Sequence, residues 1–515
     1  MPYSSASGKD FIRSLNLKAT TILDVGAGSG TYRELLPNLG KHWTALEIWA
    51  PYVTKFGLTS KYDEVIVDDI RTFEFLKDYD LCFLGDILEH MTEDEAKEVL
   101  SKARQHCKTV IVSIPLGHYP QDEFDGNPHE AHIVDDWTHD RVIAAFGNPA
   151  QHHIDKEIGV YVYRKHRIAV YAISKNEEMF VKRFCESAKD ADLILIADTG
   201  STDNTVALAK EHGAMVPEIF IRPWRFDMAR DAALALIPAD IDICISLDLD
   251  EVLEEGWREE IERVWELGKT TRLRYYFDWG HGIRFKYEKI HARQGYRWHH
   301  PVHEYPVPDK RITEVWADTD KLLVSHYPDP TKSRGQYLDL LRMAVVEDPR
   351  CPRNAFYFAR ELTFYHLWDE AIDRLKHYLE MPEATWYTER SYAMRLLSQA
   401  YEHKANYWEA MAWARRAVAE APNTRETWVR LAELCYRHHH WQECYNACAQ
   451  ALAIKDKTLV YTMDPTVWTE KPHDYASIAA WHLGLKAEAI EQCKKALEFA
   501  PKDERIKNNL VMMQA

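Results

Sequence analysis

The sequence predicts a chain built in three segments, two of them α/β and the last all-helical. Three observations carry that prediction. Over residues 1–165 short apolar runs alternate with helix-length stretches, the order of a doubly wound parallel sheet. A second series of the same kind, with its own polar strand ends, occupies 166–330. From 331 to 515 the strand signals stop, and helical patterns rich in Ala, Leu, Trp and Tyr recur at irregular intervals, one of 34 residues and two longer ones with insertions.

Size and composition support several domains. A chain of 515 residues exceeds what a single core organises, and 46% hydrophobic with 28% charged residues excludes disorder, collagen and an uninterrupted coiled coil. No apolar run approaches ~18 residues, so no transmembrane helix is expected. The start, MPYSSASGKDFIRSLNLK, lacks the basic head and apolar core of a secretory signal. The net charge of −17 belongs wholly to the first 330 residues, with 39 basic and 56 acidic; the remainder carries 25 of each. That balance argues against a broad basic surface for duplex nucleic acid. Nine cysteines without a CxxC pair suit reduced thiols and a cytoplasmic location, and Cys444 and Cys448, one helical turn apart, read as core positions.

In the first segment the runs TTILDVGAG, HWTALEIW, DEVIVDD, LCFLG and KTVIVSIP read as buried parallel strands. Asp24-Val25-Gly26-Ala27-Gly28-Ser29-Gly30 follows the first run and precedes a helical pattern. Glycines belong where a turn brings backbone close to a ligand. The dinucleotide fingerprint would need a glycine at Thr31; the fit is G-x-G-x-G instead. With Asp24 two residues ahead, this turn resembles motif I of class I S-adenosylmethionine-dependent methyltransferases. The resemblance implies a Rossmann-like methyltransferase fold, with Asp24, Gly26, Gly28 and Gly30 at the cofactor's methionine part, Glu47 on its ribose and Asp69 on its adenine. Asp86 in FLGDILEHM matches the family's segment after the fourth strand, where Glu89 and His90 also stand. His90, His118 and His129 are all available as a base. The polar segment SIPLGHYPQDEFDGNPHEAH is expected at the carboxyl end of the sheet.

The second segment places Asn176-Glu177 at one strand end and Asp198-Thr199-Gly200-Ser201-Thr202-Asp203 at the next. Trp224, Phe226, Ala229-Arg230-Asp231 follow, then Asp248-Leu249-Asp250-Glu251 and His300-Pro301-Val302-His303-Glu304. Two carboxylates two apart at a strand end can converge on one hard divalent cation. Such an ion would neutralise a departing diphosphate. The ordered set resembles GT-A glycosyltransferases of family 2, most closely the bacteriocin S-glycosyltransferases that end in helical repeats. That resemblance implies a nucleoside diphosphate sugar held by Asn176, Glu177, Asp198, Ser201, Asp203, Arg230 and Asp248. It also implies Mn²⁺ or Mg²⁺ on Asp248 and Asp250, with His303 as a third contact. Asp231 stands where the family has Asn. Inverting transfer needs a base, for which Asp278, His281 and Glu304 are candidates.

In the third segment Trp368, Tyr407, Trp441 and Leu485 open successive helical units, and Tyr407 to Trp441 is 34 residues. Units close on Met-Pro or Ala-Pro, where proline stops a helix. The pattern resembles tetratricopeptide repeats, which implies a stacked solenoid. His438-His439-His440 reads as a repeat turn without a ligand role. The expectation is an enzyme that couples sugar transfer to S-adenosylmethionine-dependent methylation. Its acceptor would be a protein, peptide or glycan, with the repeats selecting the acceptor or joining two copies. One rival is a repeat-based adaptor whose enzymatic domains are degenerate; another keeps the glycosyltransferase and leaves the first domain only to bind S-adenosylmethionine or a partner.

Overall fold

The computed structural model describes residues 6–15, 17–280, 282–329 and 335–515. They form two compact units, Met1–Arg167 with Glu262–Thr270, and Ile168–Ile261 with Thr271–Ala515. Apart from 166–167 and 262–270, the segments read as 166–330 and 331–515 thus share one unit.

The first unit holds a seven-stranded sheet: β1 (Thr21–Val25), β2 (His42–Leu46), β3 (Glu64–Ile66), β4 (Tyr79–Gly85), β5 (Cys107–Pro115), β6 (Gln151–Ile154) and β7 (Ile158–Arg164). Its order is β3-β2-β1-β4-β5-β7-β6. The first five strands are parallel, and β7 runs antiparallel to both neighbours. Successive side chains point to opposite faces. Leu23, Val25, Cys82, Leu84, Val110 and Val112 build one apolar layer; Ile22, Leu81, Phe83 and Ile111 belong to the other. Burial on both faces is why these strands read as unbroken apolar runs.

The second unit contains β8 (Ile168–Ser174), β9 (Leu193–Asp198), β10 (Ile243–Ser246), β11 (Glu251–Leu253), β12 (Arg272–Gly280), β13 (Ile283–Ala292), β14 (Tyr296–His299), β15 (Tyr305–Pro308) and β16 (Trp316–His326). Seven form a sheet ordered β11-β16-β12-β13-β10-β8-β9, and β14 pairs with β15. Only β8, β9 and β10 keep the strand–helix alternation that the apolar runs suggest. They are parallel, while β13 adds antiparallel to β10, so the sheet is mixed.

Helices then run from Tyr337–Glu347 to Glu504–Gln514. Those ending at Glu380, Glu420 and Phe499 stop two residues before Pro382, Pro422 and Pro501, as the repeat pattern requires. The three histidines occupy the turn between Arg425–Arg437 and Trp441–Ala453, with His439 at φ 62°. The helical tail shares a core with the sheet region: Val302 is buried with Leu340, Leu341, Phe356 and Leu362, and Trp224 and Phe226 pack against them. All nine cysteines are unpaired, and Cys444 and Cys448 are buried in the tail. Among the described residues no helix is long and apolar enough to cross a membrane.

Candidate functional site

In the first unit the strand order reverses between β1 and β4, which opens the crevice where doubly wound sheets hold ligands. The glycine turn leaves β1 there, with Gly26, Gly28 and Gly30 at φ 62°, 48° and 85°. A Cβ on Gly26 would lie 2.1 Å from Ile87 Cδ1, whereas one on Gly28 would meet nothing closer than 3.7 Å. The turn is closed behind Gly26 and open at Gly28. Glu47, directly after β2, accepts the Gly28 N–H at 3.0 Å and the Trp49 N–H at 2.9 Å. Burial raises its carboxyl, and those two donors oppose the rise.

The other residues assigned to this cofactor differ in surroundings. Asp24 is buried and accepts the Tyr62 hydroxyl at 2.5 Å; burial dominates and pushes its carboxyl up to about 7. Asp86, directly after β4, accepts the Ser113 hydroxyl at 3.1 Å and is also pushed up by burial to about 7. Asp69, after β3, takes two nitrogens of Arg71, and that guanidinium holds its carboxyl below the ordinary range. Glycine turn, Glu47, Asp69 and Asp86 therefore line the carboxyl ends of four neighbouring parallel strands. The polar segment follows β5 and folds back on itself, with the Gly117 N–H on the Trp137 carbonyl at 2.7 Å. Of the histidines, His118 is exposed and 3.5 Å from Asp135 Oδ2, the His129 ring is 6.1 Å from that of Trp49, and His90 is turned to the Ala131 carbonyl.

In the second unit β10, β8 and β9 stand side by side and deliver three motifs to one edge. Asn176, at φ 55°, donates its N–H to Ser201 Oγ at 2.9 Å, and its side-chain oxygen accepts the Thr202 N–H at 2.7 Å. The Glu177 N–H meets Thr205 Oγ1 at 2.7 Å, and the Glu178 N–H meets Asp203 Oδ2 at 3.2 Å. Asp198 accepts the N–H groups of Gly200 and Ser201 and the hydroxyls of Ser174 and Ser201. Burial works to raise its carboxyl, but these four donors hold it below the ordinary range. The two strand ends are thus stitched into one rigid rim.

Arg230 comes from the helix Phe226–Ala235 and is 2% exposed. It donates to Asp248 Oδ1 at 2.5 Å, to Ser246 Oγ at 3.0 Å and to Glu304 Oε1, and its guanidinium lies 4.9 Å from the Trp298 ring. Lys289 on β13, also buried, sits 3.5 Å from Asp248 Oδ2 and 3.6 Å from Glu251 Oε1. Glu251 accepts the Asp248 N–H at 2.9 Å, and burial pushes its carboxyl up to about 7 against the pull of Lys289. His326 on β16 is 3.4 Å from Asp250 Oδ2; burial lowers its imidazole, but Asp250 more than restores it. Asp231 accepts the Trp298 N–H at 2.6 Å and so fixes the strand against which Arg230 packs.

The structure brings Asn176, Asp198, Ser201 and Asp203 together, and separately Arg230, Asp248 and Glu304. It does not gather Asp248, Asp250 and His303: among the described residues these three do not bring ligating atoms within 4.8 Å of one another. His303 is held away because its ring stacks on Tyr357 at 4.1 Å and its carbonyl takes Arg353 Nη2 at 3.2 Å. Asp278 accepts the Gly280 N–H at 2.8 Å at the end of β12, next to Trp279, whose ring is 4.5 Å from that of His326. His281 lies outside the described residues. Sequence reasoning missed Lys289 and His326 and gave Glu251 no role. Both missed residues come from strands far along the chain, and no local motif marks them.

Residues 23–109 match the family described as a methyltransferase domain. The chain is similar to glycosyltransferases. It is 31% identical over 111 residues to an uncharacterised glycosyltransferase of Rickettsia conorii, a match covering 21% of this chain and 38% of that protein. It is 28% identical over 159 residues to the lipopolysaccharide core biosynthesis glycosyltransferase LpsC of Rhizobium meliloti, covering 28% of this chain and 58% of the relative. The chain thus spans less than two thirds of the length of these relatives. Among solved structures, an S-adenosylmethionine-dependent methyltransferase from Clostridium acetobutylicum aligns at 15% identity over 31% of this chain and 92% of its own, with a TM-score of 0.26. The MamA protein aligns at 17% identity over 33% of this chain and 83% of its own, with the same TM-score of 0.26. Both resemblances read from the motifs, to methyltransferases and to glycosyltransferases, are met by the sequence matches.

Proposed function

We propose that the second unit transfers a sugar from a nucleoside diphosphate sugar to a protein, peptide or glycan acceptor. The first unit, in this reading, transfers a methyl group from S-adenosylmethionine, and both reactions run in the cytoplasm. The observation that carries the reading is the convergence of Asn176, Asp198 and Asp248 on the carboxyl ends of three adjacent parallel strands, where the strand order reverses.

In the sugar site the rim of Asn176, Asp198, Ser201 and Asp203 would take the nucleoside. Arg230 and Lys289 are cations fixed in place before substrate arrives, so their charge needs no reorganisation during reaction. The Asp248 side chain keeps 44% exposure although both cations touch it, so its oxygens and those of Asp250 fit a hard divalent ion. Bound there, Mn²⁺ or Mg²⁺ would neutralise the departing diphosphate. For inverting transfer the acceptor proton needs a carboxylate that no buried cation holds. The Arg230 guanidinium occupies Glu304, which makes Glu304 a positioning residue and leaves Asp278 as the base.

In the first unit the open cradle at Gly28 and the fixed Glu47 carboxylate fit a cofactor with a narrow chain and ribose hydroxyls. When bound, S-adenosylmethionine supplies an electrophilic methyl group. The chain's part is to hold it at the β1–β4 crevice. The helical tail would select the acceptor or join two copies; Trp386 and Trp408 are exposed on it.

A thermal-shift panel of nucleoside diphosphate sugars with Mn²⁺, and of S-adenosylmethionine, tests both halves, because a ligand that binds the folded state stabilises it by an amount that grows with the logarithm of its concentration over its dissociation constant. One donor and S-adenosylmethionine should each raise the unfolding temperature, and the donor should be slowly hydrolysed without acceptor. A protein that binds no nucleotide sugar and hydrolyses none is the adaptor of the rival reading.

A further inference from the structure

We infer that the first unit holds a divalent transition-metal ion of the zinc class between Glu89, His90 and His132. One ligating atom from each of these three residues lies within 4.8 Å of the others. Glu89 and His90 stand on the short turn Leu88–His90 after β4, and His132 comes from the loop that follows β5. The Ile133 and Val134 N–H groups both bond to the Glu89 carbonyl, at 2.8 and 3.1 Å, which pins the loop to the turn.

One feature of the cluster lacks an explanation without an ion, and a second leaves the two rings ready to hold one. The Glu89 side chain is 1% exposed, yet neither of its oxygens has a hydrogen-bond partner. Buried carboxylates are ordinarily paired, and a protonated one would still need an acceptor for its O–H. The charged neighbours that bear on Glu89 are Asp86 and Glu130, both acidic, so the surroundings add negative charge and do not compensate it. The second feature is the orientation of the imidazoles. His90 Nδ1 donates to the Ala131 carbonyl at 3.1 Å, and His132 Nδ1 donates to the Tyr119 carbonyl at 2.6 Å. With Nδ1 spent on backbone oxygens, each ring keeps its lone pair on Nε2. That is the arrangement in which a second partner fixes the tautomer of a metal-ligating histidine. The rings are 4.9 Å apart between centroids.

Two imidazoles and one carboxylate suit zinc, cobalt, nickel or iron(II) better than magnesium or calcium, which prefer oxygen donors throughout. Three protein ligands leave a position for water or a substrate hydroxyl, the ligand count of catalytic zinc sites. The turn follows β4 at the carboxyl edge that also carries the Gly28 cradle. A role for the ion in orienting a hydroxyl acceptor rests on the methyltransferase reading; the binding of the ion does not.

The test is metal binding by the full chain, stripped by chelator and titrated with Co²⁺ under visible absorption and with Zn²⁺ in a calorimeter. Besides any ion held at Asp248 and Asp250, the parent should take up one ion with a Co²⁺ d–d band typical of nitrogen and oxygen ligands. Glu89→Gln and His132→Gln should each weaken that binding by about 10–100-fold or more. Ions held at the His438–His440 turn would survive in every variant, so the reading is the difference between parent and variant. His132 is half-buried on a loop, which keeps the test open should Glu89→Gln fail to fold. Equal Zn²⁺ affinity and an equal Co²⁺ spectrum in the parent and in His132→Gln would overturn the inference. Loss of metal binding in His132→Gln with unaltered S-adenosylmethionine binding supports the site, whatever becomes of the methyltransferase reading.

Discussion

Arg230 and Asp248 form a 2.5 Å ion pair in which the arginine is buried and the aspartate is half open to solvent. The same guanidinium reaches Glu304 and Ser246, so one side chain ties the helix Phe226–Ala235, the end of β10 and the segment before β15 into one site. A lysine carries the charge but cannot span three oxygens. Arg230→Lys should therefore cut sugar transfer by about tenfold or more with the fold retained. Arg230→Met, which strips the buried Glu304 of its partner, should cost about 3–5 kcal/mol in urea denaturation. An Arg230→Met protein as stable as the parent would show that the pair contributes nothing.

Asp250 lies beside His326 and two positions from Asp248, which pairs with Arg230. Asp250→Asn keeps shape and removes charge, so sugar transfer should fall by about 10²-fold or more, in line with the loss of one preorganised charge contact. Excess EDTA should abolish transfer in the parent, and Mn²⁺ or Mg²⁺ should restore it. Full transfer in EDTA would rule out the metal-assisted reading.

Gly28 combines a positive φ of 48° with open space at its Cβ position. Gly28→Val introduces a branched side chain into the cradle and a conformation that costs about 1–2 kcal/mol. Calorimetry should show S-adenosylmethionine binding lost, with nucleotide-sugar binding by the second unit intact. Retained binding would place the cofactor elsewhere.

His291 is fully buried; its Nδ1 donates to the Ala292 carbonyl at 2.8 Å, and its Nε2 accepts from the Tyr171 hydroxyl at 3.1 Å. Burial lowers the imidazole from 6.5 to about 4. Between those values the unfolded chain takes up a proton that the native chain does not, so stability rises with pH across this window. The contribution is complete above 6.5 and is lost as pH falls towards 4. His291→Gln should flatten the fall in unfolding temperature of the second unit between pH 6.5 and 4.5; an unchanged pH profile would dismiss His291 as its source.

Phe356 is fully buried in the core that joins Val302 to the first tail helices. Phe356→Ala should cost about 3–5 kcal/mol and should weaken nucleotide-sugar binding together with tail helicity. Truncation after residue 335 should yield an insoluble second unit, since Val302 and Trp224 lose the helices that cover them. A soluble truncation that still binds donor would show that the two regions fold independently.

Much of the molecule was legible along the chain because its signals are local. Buried parallel strands read as apolar runs, and a glycine turn needs its glycines within a few residues, so the turn of Gly26 and Gly28 stands out by spacing, while Glu47 came only with the resemblance to methyltransferases. The rim of Asn176, Asp198 and Asp203 was legible for the same reason: each motif ends its own strand. The helical tail declared itself through a repeat length and the prolines that end its helices.

The rest depends on contacts between distant residues, which spacing does not encode. Lys289 reaches Asp248 only because β13 pairs antiparallel with β10. His326 reaches Asp250 only because β16 pairs with β11. His303 looked like a ligand beside Glu304, but a tail helix offers Tyr357 to its ring and draws it away from the two acids. Glu304 looked like a base until Arg230 was found on it. The sequence determined which residue types stand at each strand end, since those follow from turn chemistry and apolar periodicity. Tertiary structure decided which charges meet: a buried carboxylate takes its character from the cation or the void beside it, and that neighbour comes from another element of the fold.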